Sequence, residues 1–137
     1  MSENKKFVHH TLEESPISLI KAFSCAFAGV KHAVLTQRNF KIHLTVAFMA
    51  IIMSFLLQLN LVEWAIITVC IFSVFAFECI NTAIESIVDM VSPEWSELAK
   101  YAKDCAAGAV LLVSIMSAVV ALFLFLPKIL IMFGFNF

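Results

Sequence analysis

The sequence predicts an all-α integral membrane protein: three transmembrane helices preceded by an amphipathic helix on the membrane surface. Three observations carry that expectation. Of 137 residues, 62% are hydrophobic and 14% charged, against roughly 45–50% and 25% in ordinary soluble domains. Three apolar runs are each long enough to cross a bilayer. The basic residues are also segregated: Lys5, Lys6, Lys21, Lys31, Arg38 and Lys41 precede the first run, Lys100 and Lys103 follow the second, and only Lys128 lies beyond the third.

The elements follow in order. Residues 1–14 are polar and expected to form a tail. Two lysines there, with no apolar core behind them, do not make a signal peptide. Ser15-Pro16 is a helix start, because proline at the first helical position lacks only an N–H that would be unpaired anyway. Over 16–36, Ile20, Phe23, Phe27, Val30 and Val34 recur at three- and four-residue steps while Lys21 and Lys31 occupy other angles. Such a pattern lies in the interface plane. Residues 42–59, "IHLTVAFMAIIMSFLLQL", rise roughly 27 Å at 1.5 Å per residue and form the first span. "NLVE" leaves room for a tight turn only, so the second helix returns over 62–91, longer than lipid alone requires. A second Ser-Pro pair, Ser92-Pro93, with Glu94 in the following turn, opens a polar connection. It leads to the third span over 104–126, which Pro127 is expected to close. Loop charge places the N-terminus and the 92–104 connection in the cytoplasm and the C-terminus outside. A soluble four-helix bundle is the competing fold, and so few polar faces could not clothe it.

Composition excludes several chemistries. Net charge −1 gives no footprint for nucleic acid. The four cysteines show no CxxC spacing and read as reduced hydrophobes. With glycine only at 29, 108 and 134, neither a Walker A loop nor a kinase glycine loop can exist. His9, His10 and His43 lack partners at metal-ligand spacing and read as surface or interface residues. Trp64 and Trp95 read as interfacial anchors. Ala106, Ala107, Gly108 and Ala109 read as small residues that let helices approach closely.

The stretch "FECINTAIESIVDMV", 77–91, does not fit a greasy helix. At about 100° per residue Glu78, Asn81, Glu85 and Asp89 fall within an arc of about 80°, with Thr82 at its edge. Glu78 lies roughly 24 Å into a hydrocarbon layer about 30 Å thick. An ionised carboxylate there must be paired, protonated or facing a wet cavity. Polar residues can also serve only to join helices. Four in one stripe, with Lys103-Asp104 following at the head of the third span, fit another use. Carboxylates suit Mg²⁺ with phosphates, and lysine suits phosphate charge. Together they point to nucleotide chemistry at the membrane face.

"ECINTAIESIVD" followed by "LAKYAKDCAAGAVLL", with "QRNFKIH" before the first span, resembles the small bacterial membrane kinases of diacylglycerol and undecaprenol over about residues 20–129. The resemblance implies a homotrimer with active sites shared between neighbours, in the bacterial cytoplasmic membrane with the site on its cytoplasmic side. It implies transfer of the ATP γ-phosphate to a lipid alcohol. By motif, Glu78 is the catalytic base that meets the lipid hydroxyl and Asn81 orients the site. Glu85 holds Mg²⁺ on the phosphates, Lys103 and Asp104 contact the nucleotide, and Glu94, Trp95 and Ser96 border it. The family usually has glutamate as a second metal ligand where this chain has Gln37, and often tyrosine beside the nucleotide where it has Cys25. An amide oxygen can still ligate Mg²⁺, with one negative charge fewer. "RNFKIH", "INTAIE" and "FLPKIL" resemble the polyprenol branch, which makes undecaprenol the favoured acceptor and diacylglycerol the alternative. A small transporter or a helical scaffold are the other classes weighed. The first would need polar groups on both sides of the midplane, and 42–59 has almost none.

Overall fold

The structure, a computed structural model, describes residues 18–135. The polar tail, His9, His10 and the Ser15-Pro16 start lie outside the described residues. What is described is all helix: α1 (Leu19–Thr36), α2 (Arg38–Leu56), α3 (Leu61–Val91) and α4 (Glu97–Met132). All four are long and apolar enough to cross a membrane, which makes this a membrane protein by length and composition. The exposed surface agrees, since Phe48, Phe72, Leu112 and Phe123 are each more than half exposed on the outside of the bundle.

α3 is the centre of the packing, and it makes its most extensive contact with α4. Its inward seam is Ile67, Cys70 and Val74, which then continues without a change of face into Glu78, Asn81 and Thr82, all buried. The stripe is thus the continuation of the core seam, with the chemistry changed at Glu78. α4 answers with Ala106, Val110 and Val113. Gly108, one of the small residues expected to admit a close neighbour, has open space where a Cβ would stand. Ala106 carries that role instead, buried on the packed face. From α2 the inward residues are Phe40, Ala47 and Ser54, and the Phe40 ring stacks on Phe75 with centroids 5.2 Å apart.

Several boundaries differ from expectation. α2 begins at Arg38 and ends at Leu56, where the chain turns through Gln58 at φ 51. Asn60 then caps α3: its side chain accepts from the N–H groups of Val62 and Glu63, while the Glu63 carboxylate accepts from the Asn60 N–H. This reciprocal capping box is a start signal in "NLVE" itself. Ser92 is the C-cap of α3, not the N-cap of the next helix; its hydroxyl donates to the Glu94 carbonyl, and Ser96 is the N-cap of α4. The connection therefore shrinks to five residues, and the acidic residue in the first turn is Glu97, not Glu94.

Pro127 does not close α4, which runs through it to Met132. Proline costs one hydrogen bond and a ring clash, but helices in an apolar medium keep their remaining bonds because no water can replace them. A tether also holds the far end. Lys128 Nζ lies 3.0 Å from Glu63 Oε2, joining the last turns of α4 to the first turn of α3. The one cation beyond the third apolar run is thus neutralised at the opposite end of the bundle from the stripe.

Replacing Asn60 with alanine removes the capping acceptor and is expected to cost about 1 kcal/mol. Thermal unfolding in detergent should show a lowered midpoint for Asn60→Ala, and Asn60→Asp should stay near the parent.

Candidate functional site

The site forms where three helix ends meet: the start of α2, the last turns of α3 and the head of α4. Gln37 is the single residue between α1 and α2, with an extended backbone (φ −91°, ψ 122°). Counting on by three from it gives Phe40 and His43. Phe40, fixed by its stack on Phe75, carries these neighbours inward toward α3.

Two of the α3 carboxylates are met there by side chains of α2 and its cap. Gln37 Nε2 donates to Glu85 Oε2 at 2.8 Å, and Asn81 Nδ2 donates to Glu85 Oε1 at 3.0 Å. The Glu85 carboxylate is therefore held by two amides, one from the preceding turn of its own helix and one from 48 residues away. Asn81 turns its nitrogen to Glu85, which leaves Asn81 Oδ1 buried with no hydrogen-bond donor. An unsatisfied buried carbonyl oxygen beside a carboxylate fits a hard cation, which takes oxygen ligands. Among the described residues no three His, Cys, Asp or Glu side chains gather to hold a metal. A cation here would rest on Glu85, the amide oxygens of Asn81 and Gln37, water and a ligand's own oxygens, a donor set that suits Mg²⁺.

One turn deeper, Glu78 is 1% exposed and His43 Nε2 lies 3.1 Å from its Oε1. The approach is not aligned as a hydrogen bond, and Oε1 has no donor aimed at it. The ring nitrogen thus lies close to the carboxylate without bonding it squarely. Thr82 does not help, because its hydroxyl donates to the Glu78 carbonyl rather than to the side chain. The reading of His43 as a plain surface or interface histidine is thereby corrected. Its signal was present in the sequence, since a carboxylate at the depth of Glu78 needs a partner. His43 is also six residues from Gln37 and three from Phe40, on the same helical face.

Toward the helix ends the stripe opens to water. Asp89, exposed, is paired with Lys103, and Asp104 is paired with Lys100 at 3.6 Å. Val88, Asp89, Pro93 and the head of α4 wall an open cleft of about 310 Å³. Glu94, Trp95, Ser96, Lys103 and Asp104, the residues expected to border or contact a nucleotide, all line it, together with Lys100. Lys100 is an addition that sequence reasoning missed, and its spacing of three from Lys103 was a legible signal. Both lysines face carboxylates in this state, so the cleft is poised rather than strongly positive. Cys25 is exposed on α1.

Below His43, toward the middle of the bundle, lies a second cavity of about 290 Å³ between α2, α3 and α4. Its walls are almost wholly apolar and built from small side chains, among them Ala47, Ala50, Cys70, Ala118 and Ala121. His43 lines this apolar cavity and also reaches Glu78, from which the polar stripe leads on to the open cleft.

Comparison with known proteins agrees with this arrangement. The sequence model of the prokaryotic diacylglycerol kinase family matches residues 24–125. The undecaprenol kinase of Bacillus subtilis (strain 168) is 42% identical over 108 residues, 79% of this chain and 88% of that protein. The diacylglycerol kinase of Synechocystis is 44% identical over 114 residues, 82% of this chain and 65% of that protein. The diacylglycerol kinase of Escherichia coli (strain K12) is 26% identical over 101 residues.

The exposed Lys103–Asp89 pair should contribute little to stability, about 1 kcal/mol or less, because water screens it. A double-mutant cycle on Asp89→Asn and Lys103→Met, followed by unfolding in detergent, should return a coupling no larger than that.

Proposed function

Because the chain belongs to the prokaryotic diacylglycerol kinase family and is a lipid kinase, a phosphotransferase with an alcohol acceptor and ATP as phosphoryl donor, we propose that its acceptor is undecaprenol, giving undecaprenyl phosphate. The likeness to the Bacillus subtilis enzyme along most of that protein's length supports this choice. Diacylglycerol, giving phosphatidic acid, is the second reading, and the likeness to the Synechocystis enzyme is the observation that favours it.

The observation that carries the mechanism is the continuous α3 seam, which passes from apolar residues through buried Glu78 to Glu85 and the open cleft. A lipid alcohol comes from the apolar side and a nucleotide from the aqueous side, so their reacting atoms meet along this seam. Glu78 accepts the proton as the lipid O–H bond breaks. The oxygen forms its bond to the γ-phosphorus, and the bond to the ADP oxygen breaks. Glu85, with Gln37 and Asn81 beside it, would hold Mg²⁺, which supplies charge neutralisation on the phosphates. Lys103 contacts phosphate oxygens once released from Asp89, and Asp104 with Glu94, Trp95 and Ser96 frames the nucleotide. These roles match the reaction, because phosphoryl transfer rests mainly on positioning and electrostatic stabilisation.

In this reading α2, α3 and α4 span the cytoplasmic membrane and α1 lies along its cytoplasmic face. The apolar stripe of α1 (Ile20, Phe23, Phe27) is exposed in the single chain, as a lipid-contacting surface would be. The cleft and the basic residues around it fall on the cytoplasmic side by the positive-inside rule. Three copies assemble with sites shared between neighbours, as the resemblance implies.

Purified protein in lipid with labelled MgATP should phosphorylate undecaprenol in preference to diacylglycerol; preference for diacylglycerol would select the second reading, and transfer to neither would remove both. Glu78→Gln should lower kcat by roughly 10²–10⁴-fold while the thermal unfolding profile is retained. Gln37→Glu restores a negative charge beside Glu85, and the Mg²⁺ concentration for half-maximal activity should fall several-fold; an unchanged Mg²⁺ dependence would exclude Gln37 from the metal's surroundings.

A further inference from the structure

Glu78 has an unusual problem for a buried carboxylate. It is the most enclosed charged group of the bundle, yet its own helix offers its side chain nothing. Asn81, one turn on, spends its N–H₂ on Glu85. The Thr82 hydroxyl goes to the Glu78 backbone. Glu85, seven residues on, carries the same charge. Among the described residues, the basic side chain within ion-pair distance of the Glu78 carboxylate is His43 of α2, at 3.1 Å.

His43 is held by its surroundings. It lies three residues beyond Phe40, which is 2% exposed and stacked on Phe75. Its ring also forms part of the wall of the apolar cavity between α2, α3 and α4. The imidazole therefore both lines the cavity and lies 3.1 Å from the Glu78 carboxylate.

We propose that His43 is a positioning residue for the kinase reaction: its Nε2–H orients the Glu78 carboxylate toward the acceptor hydroxyl at the head of the apolar cavity. The inference rests on the reading of Glu78 as the base. A carboxylate without a donor can rotate about its side-chain torsions, and a base must stay within hydrogen-bond reach of the proton it takes. His43 removes that freedom with a single donor and exchanges no proton itself. The proton passes from the acceptor hydroxyl to Glu78, while the phosphoryl group passes to the acceptor oxygen. The imperfect alignment of the pair is the state expected before substrate binds, since catalytic hydrogen bonds are often long or skewed in the empty site and tighten in the complex. The role differs from helix joining, because the Phe40–Phe75 stack already holds α2 on α3.

The test uses the full chain in lipid, with whichever acceptor it turns over, and three variants of His43. His43→Leu and His43→Phe remove the donor, the second keeping a ring's volume in case the first does not fold. His43→Gln keeps an N–H at similar reach. The donor-free variants should lose about tenfold or more in kcat, a part of the roughly 10²–10⁴-fold that a placed base contributes, with KM for MgATP unchanged. His43→Gln should recover most of that loss. Wild-type kcat in the donor-free variants, with Glu78→Gln inactive, overturns the role of His43 and leaves the base in place. Equal loss in all three His43 variants also overturns it, since the N–H would then not be what matters. Full turnover in Glu78→Gln removes the reading of the base and this inference with it.

Discussion

A carboxylate inside an apolar bundle must find partners, and the end of the bundle where α2 begins is organised by that requirement. Glu78 is buried on the core seam of α3 and Glu85 is half-buried on its continuation, where each carboxylate must look beyond its own helix backbone for partners. Their partners come from the chain around the start of α2: His43 for the first, Gln37 for the second. Of the two, the Gln37–Glu85 hydrogen bond is aligned and ties the start of α2 to α3 at this end. Phe40 stacked on Phe75 supplies the apolar part of the same junction.

The two ends of the bundle follow different logics. At one, Asn60, Glu63 and Lys128 close a small ionic knot that satisfies the exposed start of α3 and ties the far end of α4 to it. The Asn60 side-chain oxygen, the Glu63 carboxylate and the Lys128 ammonium all find partners within that knot. At the other, Asn81 Oδ1 is left bare, the Glu78–His43 contact is skewed, and Lys100 and Lys103 rest on carboxylates of an open cleft. Groups left unsatisfied or only loosely paired in an otherwise well-packed helix bundle are the ones that await something. The difference between the knot and the cleft is the difference between structure and site.

Much of this was legible in the sequence, because it depends on helical periodicity. Glu78, Asn81 and Glu85 share a face at 3.6 residues per turn whatever the tertiary fold, and three apolar runs can hardly be anything but long helices. The residues lining the cleft were legible by a different route, the resemblance to the kinase family, which pointed to Glu94 to Ser96 and Lys103-Asp104. What escaped was set by contacts distant in the chain. The partner of Glu78 could be inferred to exist but not to be His43, 35 residues earlier, without knowing which face of α2 meets α3. Pro127 read as a stop because its local rule is strong in water; the medium and the Lys128 tether override it. Ser92-Pro93 read as a start because the pair is a good N-cap in isolation, whereas α3 simply persists to Val91 and leaves Ser92 as its last cap.

Gln37 occupies a position whose mechanical meaning goes beyond its chemistry. It is the only residue between α1 and α2, its own N–H is tied back to the Ala33 carbonyl, and its side chain grips Glu85. With one residue as the joint, α1 cannot swing against α2 without turning the Gln37 torsions, and those torsions carry the amide that meets the carboxylate. The pitch of the first helix and the placement of the Glu85 oxygens are therefore one degree of freedom, like a lever and the latch fixed to its pivot. Whatever surface α1 rests on, its angle there is written into the site.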